Sequence, residues 1–175
     1  LGEQGEGLPP AVRAAAAIST PFDLALSAHT LERGFARIYM KGIVKGLKAK
    51  AKAKLLHFPG FVDEQKLNAA KTLTQFDNLV TAPVHGFKDA DDYWSHSSSL
   101  RFLAGIRRPA LLISAQDDPF FQGKSLPVAE VAANPFLTAE FTARGGHVGF
   151  LTGPWPGQVR SWTEDRMIQF LRKHI

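Results

Sequence analysis

Between Pro109 and Ala115 the chain is apolar at every position but Ser114, and it then stops abruptly at Gln116-Asp117-Asp118-Pro119-Phe120. A strand that alternates apolar and polar residues can face water on one side, whereas a continuous apolar run must be covered on both faces. This run therefore demands a layered α/β architecture with helices above and below it. The sequence that follows supplies the layers. A helical stretch is expected at about Lys124–Ala133, a break at Asn134-Pro135, a β-branched and aromatic strand from Phe136 to Thr142, and a final helix over Gln158–Ile175. Ser161-x-x-Glu164 is a capping-box pattern for that helix, Trp162, Met167, Phe170 and Leu171 give it a buried stripe, and Arg172-Lys173-His174 complement the dipole at its end. Strand, helix, strand, helix is the pattern of two units of a parallel sheet.

Upstream, residues 1–10 are rich in glycine and proline and read as loop, with Leu1–Gly5 resembling the frayed end of a glycine-capped helix. Four alanines in Arg13–Ser19 would favour helix by propensity alone, but the short length, the flanking prolines and the extended bias imposed on Thr20 by Pro21 favour a buried strand. Phe22 to about Phe58 reads as helix in two pieces, stopped by His57-Phe58-Pro59-Gly60. Asp63–Phe76 reads as one further helix with Asp63 as its cap. Thr81–Leu103 reads as irregular, with an acidic cluster at Asp89, Asp91 and Asp92.

Composition sets the outer limits. With 175 residues, 45% hydrophobic and 21% charged, the chain can bury a core and is not disordered. There is no cysteine, which removes disulfides and thiolate metal sites and suits a reducing, cytoplasmic setting. Seven basic residues and no acids lie between Gly34 and Phe58, more than the whole net charge of +5, so the rest of the chain is slightly acidic. The charge is thus local, and without interleaved aromatics it does not read as a nucleic-acid surface.

The chemistry gathers at the ends of the two C-terminal strands, where reactive groups of open α/β sheets collect. Asp117 and Asp118 end one strand, and His147, in Gly145-Gly146-His147-Val148-Gly149-Phe150, follows the next, twenty-nine residues after Asp118. One βα unit of about 30 residues can set the two strand ends side by side. A histidine acting as general base needs a buried carboxylate on its Nδ1–H, and the paired glycines allow the sharp turn that would bring the ring over the site. Pro119 biases Asp118 away from helical geometry and so slightly favours Asp118 over Asp117 as that carboxylate, with Asp117 left to cap or to bond the backbone. His29, His57, His85 and His96 lack paired ligand spacing, so no metal site is expected.

Taken together, Arg108–Ile113 running into Asp117-Asp118-Pro119-Phe120, the Gly-Gly-His-Val-Gly-Phe segment and the Trp162 helix resemble the YheT-like branch of the α/β-hydrolase fold. Phe76-Asp77, Thr81-Ala82-Pro83, Gly86-Phe87 and Tyr93 resemble that branch's cap region. The resemblance implies an α/β fold comprising the C-terminal part of a hydrolase parallel sheet with an inserted helical cap. Residues 1–20 would hold the end of the nucleophile helix and one core strand, 21–106 the cap, and 107–175 the acid and histidine loops. It implies hydrolysis of a small-molecule acyl ester by Ser-His-Asp chemistry without a cofactor, with Asp118 as the acid and His147 as the base. No G-x-S-x-G occurs in these residues, and Ser114, Ser125 and Ser95–Ser99 are poor substitutes for it. The chain is accordingly expected to be the C-terminal half of such an enzyme, inactive alone, poorly soluble or associated through an uncovered sheet edge.

Two further features invite a reading. Tyr93, Trp94, Phe87 and Phe120 are candidates to line an acyl pocket, although aromatics near loops are more often core. The lysines from Lys41 to Lys54 are most simply the solvated face of the cap, and alternatively the contact surface of a non-catalytic piece that binds anionic membrane or acidic partners.

Overall fold

The computed structural model describes residues 1–121, 125–153, 157 and 159–174. They form two compact units, one from Leu1–Asp23 with Ser98–Ile175 and the other from Leu24–Ser97, so a helical unit is inserted between the first two strands. The divisions fall inside the expected 21–106 segment because Phe22, which is 2% exposed, packs with Leu103 and Ile106 under the sheet.

The inserted unit contains α1 (Leu24–Leu31), α2 (Arg37–Leu55), α3 (Glu64–Ala69), α4 (Leu73–Phe76), α5 (Ala82–Val84) and α6 (Ala90–Ser97), with a π-helical turn at Asp77–Thr81. The helix expected over Asp63–Phe76 is two. Asp63 does cap α3, accepting from the Lys66 amide at 3.0 Å. Thr72 starts α4 afresh, its hydroxyl accepting from the Gln75 amide at 3.1 Å while Gln75 Oε1 accepts from the Lys71 amide at 2.7 Å. Meanwhile Lys48 Nζ donates to the carbonyls of Asn68 and Ala70 (2.6 and 2.9 Å), which rewards ending α3 there. The expectation of irregular chain over Thr81–Leu103 is likewise corrected. Asp89 Oδ1 accepts from the Asp92 amide at 2.8 Å and Asp92 Oδ2 accepts from the Lys88 amide at 2.9 Å, so the acidic cluster is the N-terminal cap of α6.

Two small cores hold this unit. Ala51, Val62, Leu67 and Phe76 form one, and Ala28, Ala90 and Trp94 the other. Trp94 is 2% exposed and its indole donates to Asp77 Oδ2 at 2.9 Å. Burial, reinforced by the Asp77 charge, pushes the Tyr93 hydroxyl above its ordinary pKa.

The other unit carries a parallel sheet in the order β1 (Ala15–Ile18), β2 (Ala110–Ala115), β3 (Leu137–Thr142). Ala15 to Ile18 pair with Ala110 to Ile113, and Ala110 to Ala115 pair with Leu137 to Thr142. The alanine run becomes strand because β2 offers it a ladder, an instance of tertiary pairing overriding propensity. Every residue of β2 is buried, as a doubly covered strand requires. Leu111, Ile113 and Ala115 face Phe150 with Trp162 and Phe170, whereas Ala110 and Leu112 face Phe22, Leu103, Ile106 and Leu137.

Helix α7 (Val128–Ala133) returns the chain from β2 to β3, and the start expected for it at Lys124 lies outside the described residues. Buried Asn134 makes the break after it. Its amide donates to the carbonyls of Leu103 and Ile106 (2.8 and 3.1 Å) and its oxygen accepts from the Phe136 amide at 3.0 Å. The final helix, α8 (Trp162–Arg172), begins later than expected because Arg160–Ser161 (β5) pairs antiparallel with Leu151–Thr152 (β4). Gln158 and Ile175, its expected limits, lie outside the described residues. Ser161 caps α8 by accepting from the Glu164 amide, and Arg166 forks onto Glu140 of β3, fastening the helix to the sheet. Among the described residues no helix is long and apolar enough to cross a membrane.

Candidate active site

The acid loop begins where β2 runs out of neighbours. Gln116 still donates to the Thr142 carbonyl at 2.8 Å, and the chain then turns through Asp117 and Asp118. The two carboxylates part company. Asp118 turns inward and its side chain is 0% exposed. Its Oδ1 accepts from the Phe120 amide at 2.8 Å, a local Asx turn that crosses Pro119, and its Oδ2 lies 2.9 Å from His147 Nδ1. Asp117 stays exposed, and its Oδ1 accepts from the amides of Gly145 and Gly146 at 2.9 and 2.8 Å.

The histidine loop is built around close approaches. A Cβ on Gly145 would stand 2.6 Å from the Phe150 ring and 3.1 Å from Ala115 Cβ, so only glycine passes there. Gly146 has φ +61° and makes the reversal. The loop closes with the Phe150 amide on the Gly145 carbonyl at 3.0 Å and is tied to α8 by the Trp162 amide on the Phe150 carbonyl at 2.9 Å. Phe120 stacks on the imidazole with ring centres 4.1 Å apart and planes at 21°, and Phe121 meets it edge-on at 6.1 Å.

Sequence reasoning missed one member of this assembly. Ser19, at the end of β1, is 4% exposed with φ +50°, and its hydroxyl donates to the backbone carbonyl of His147. The only available signal was its place at the same strand edge as the acid and the histidine. Of the serines weighed as nucleophiles, Ser114 is fully buried inside β2, and Ser95 and Ser99 donate to the carbonyls of Asp92 and Pro21. Gly123 and Lys124, which precede Ser125, lie outside the described residues. Among the four aromatics proposed for a pocket, Phe120 lies on His147, while Phe87, Tyr93 and Trp94 pack within the helical unit.

Chemically, the arrangement fixes one imidazole. A carboxylate on Nδ1 selects the tautomer with the proton there and leaves the Nε2 lone pair free to take a proton from a reacting group. His147 keeps 30% of its side chain exposed while Asp118 is sealed from water, so the pair has one open end. Among the described residues no three His, Asp or Glu side chains cluster closely enough to hold a metal ion.

A three-stranded parallel sheet with flanking helices, an insertion after its first strand and an acid and histidine joined beyond its carboxyl edge define part of an α/β-hydrolase fold. Over its whole length the chain is similar to proteins of the YheT-like branch of that family. It is 35% identical over 177 residues to YheT of Escherichia coli, a protein designated an esterase, with all of this chain and 51% of that protein aligned. It is 32% identical over 179 residues to the monoacylglycerol lipase of Saccharomyces cerevisiae (98% of this chain, 38% of the lipase) and 31% identical over 159 residues to mouse phospholipase ABHD3 (90% and 38%). The chain thus spans about half the length of the bacterial relative and less of the others, matching their C-terminal portion. No protein-family model matches it, and no solved structure gives a significant match.

Proposed function

We propose that Asp118 and His147 are the acid and base of a Ser-His-Asp ester hydrolase, and that the substrate is a small carboxylic ester. The observation that carries this reading is the 2.9 Å contact between His147 Nδ1 and a carboxylate with no exposed surface, whose second oxygen is held by the Phe120 amide. A carboxylate so placed stabilises the imidazolium formed when Nε2 accepts the proton of an attacking serine. The same imidazolium then donates that proton to the departing alkoxide. The esterase and lipase designations of the relatives support the ester as the bond attacked.

These residues contain no G-x-S-x-G turn, and hydrolysis is expected only of a polypeptide that carries one together with its oxyanion donors. The test starts from the reading frame upstream of Leu1, where such a turn should be encoded. The protein expressed with that segment should hydrolyse p-nitrophenyl butyrate. Asp118→Asn should lower kcat by roughly 10⁴-fold through the wrong imidazole tautomer, and His147→Ala by at least as much. An upstream frame without the serine turn, or variants as fast as the parent, would end the proposal.

A further inference from the structure

The side chains Arg37, Lys41, Lys45, Lys48 and Lys52 recur along α2 so that, at 3.6 residues per turn, they fall within about 80° of arc. None of them takes part in an ion pair among the described residues. Lys48 points to the carbonyls of Asn68 and Ala70, which engage two of its three hydrogens and leave its charge uncompensated. With Lys71 the stripe borders an open groove of about 530 Å³ whose inner residues include Met40 and Val44. Glu32 is the one acid on that groove, and its Oε1 is engaged by the amide and hydroxyl of Thr74.

Beside the stripe, the outward strip of α2 carries Gly42, Gly46, Ala49 and Ala53, all exposed, with nothing within 4 Å above either glycine. Large apolar side chains stand at its two ends. Phe35 is 74% exposed, Ile38 61% and Leu56 81%. Lys50 and Lys54 border the strip on its other side, by the same helical spacing. A solvated helix ordinarily turns its polar side chains outward, but α2 turns outward a smooth apolar strip between two rows of cations.

We propose that this face of α2 docks flat on a bilayer surface that carries anionic phospholipid. Both cation rows meet headgroup charge, the lysine stems extend along the apolar boundary to reach it, and Phe35, Ile38 and Leu56 enter the interface. The small residues along the middle let the helix axis come close to the membrane plane. This surface lies wholly within the helical unit and does not depend on the hydrolase reading.

Flotation of the chain with vesicles of phosphatidylcholine, alone or with about a third phosphatidylserine, tests it at low salt and at roughly 0.3 M salt. Binding should be at least about 10-fold stronger to the anionic vesicles and should weaken with salt. Lys41→Gln/Lys45→Gln/Lys52→Gln should lose about 10-fold or more, and Ile38→Ser/Leu56→Ser should make the remaining binding fully displaceable by salt. Lys66→Gln/Lys88→Gln/Lys173→Gln removes the same charge from other surfaces and should bind like the parent, with far-UV circular dichroism confirming helix content in each variant. Equal affinity for neutral vesicles, no binding at low salt, or equal losses in both triple variants would overturn the proposal. Affinity for an acidic polymer such as DNA without affinity for vesicles would do the same.

Discussion

The acid loop and the histidine loop differ in what holds them. Asp118 is fixed from within its own loop, by the Phe120 amide two residues on and by a return bond of its own amide to the Ala115 carbonyl. His147 is fixed from elsewhere. Asp117 grips the amides of Gly145 and Gly146 from the end of β2, Ser19 reaches its carbonyl from the end of β1, and the Trp162 amide closes the loop from α8. The acid is therefore set by local turn chemistry, and the histidine by the assembled sheet. One consequence is that damage to the tertiary ties should displace the histidine and leave the acid where it is.

The largest test of that asymmetry is Gly145→Ala. The added Cβ would press on a Phe150 ring that is 5% exposed and stacked on Trp162, so the ring has little room to yield. Overpacking of this kind costs about 1–3 kcal/mol, and the loss should appear as a lower midpoint in urea unfolding. The acid loop should be spared, since none of its bonds involves Gly145 except through Asp117. If the variant melts with the parent, the histidine loop is softer than its packing implies.

Asp117→Ala comes next. It removes two charge-assisted bonds from an exposed site, where water can take over the freed amides, so the stability loss should be about 1 kcal/mol. The sharper reading is hydrogen exchange. Protection should fall at Gly145 and Gly146 and persist at Phe120, whose acceptor is Asp118. Equal loss at all three amides would mean that the two loops open as one.

This asymmetry also explains what could be read from the chain beforehand. The β2 run, the Asp118-Pro119 turn, the caps at Asp63 and Ser161 and the spacing to His147 are patterns within a few residues or one βα unit, and all are legible in a sequence. The break between α3 and α4 depends on Lys48 reaching Asn68 and Ala70 across twenty residues, and the Ser19 tie spans one hundred and twenty-eight. No periodicity announces contacts of that range. The acidic cluster at Asp89–Asp92 was misread for a different reason. Its capping bonds are local, but three acids and a tyrosine-tryptophan pair between glycine and serine runs look like loop until the Lys88 and Asp92 amides are seen to need acceptors.

Ser19 gives the smallest and most discriminating test, because its position mixes a gain with a cost. Its hydroxyl holds the His147 carbonyl, and its backbone sits at φ +50°, where a side chain is disfavoured. Ser19→Ala keeps the strain and loses the bond, leaving a part-buried carbonyl short of one donor, and should cost about 1 kcal/mol. Ser19→Gly loses the same bond but relaxes the left-handed backbone, and should recover most of that loss, less the entropy glycine adds to the unfolded chain. Alanine should therefore be the less stable of the two by up to about 1 kcal/mol, measured as the difference between their urea midpoints. If glycine is instead the less stable variant, the β1 end is not strained. Ser19 would then give the histidine loop its hydroxyl bond with no backbone strain set against it.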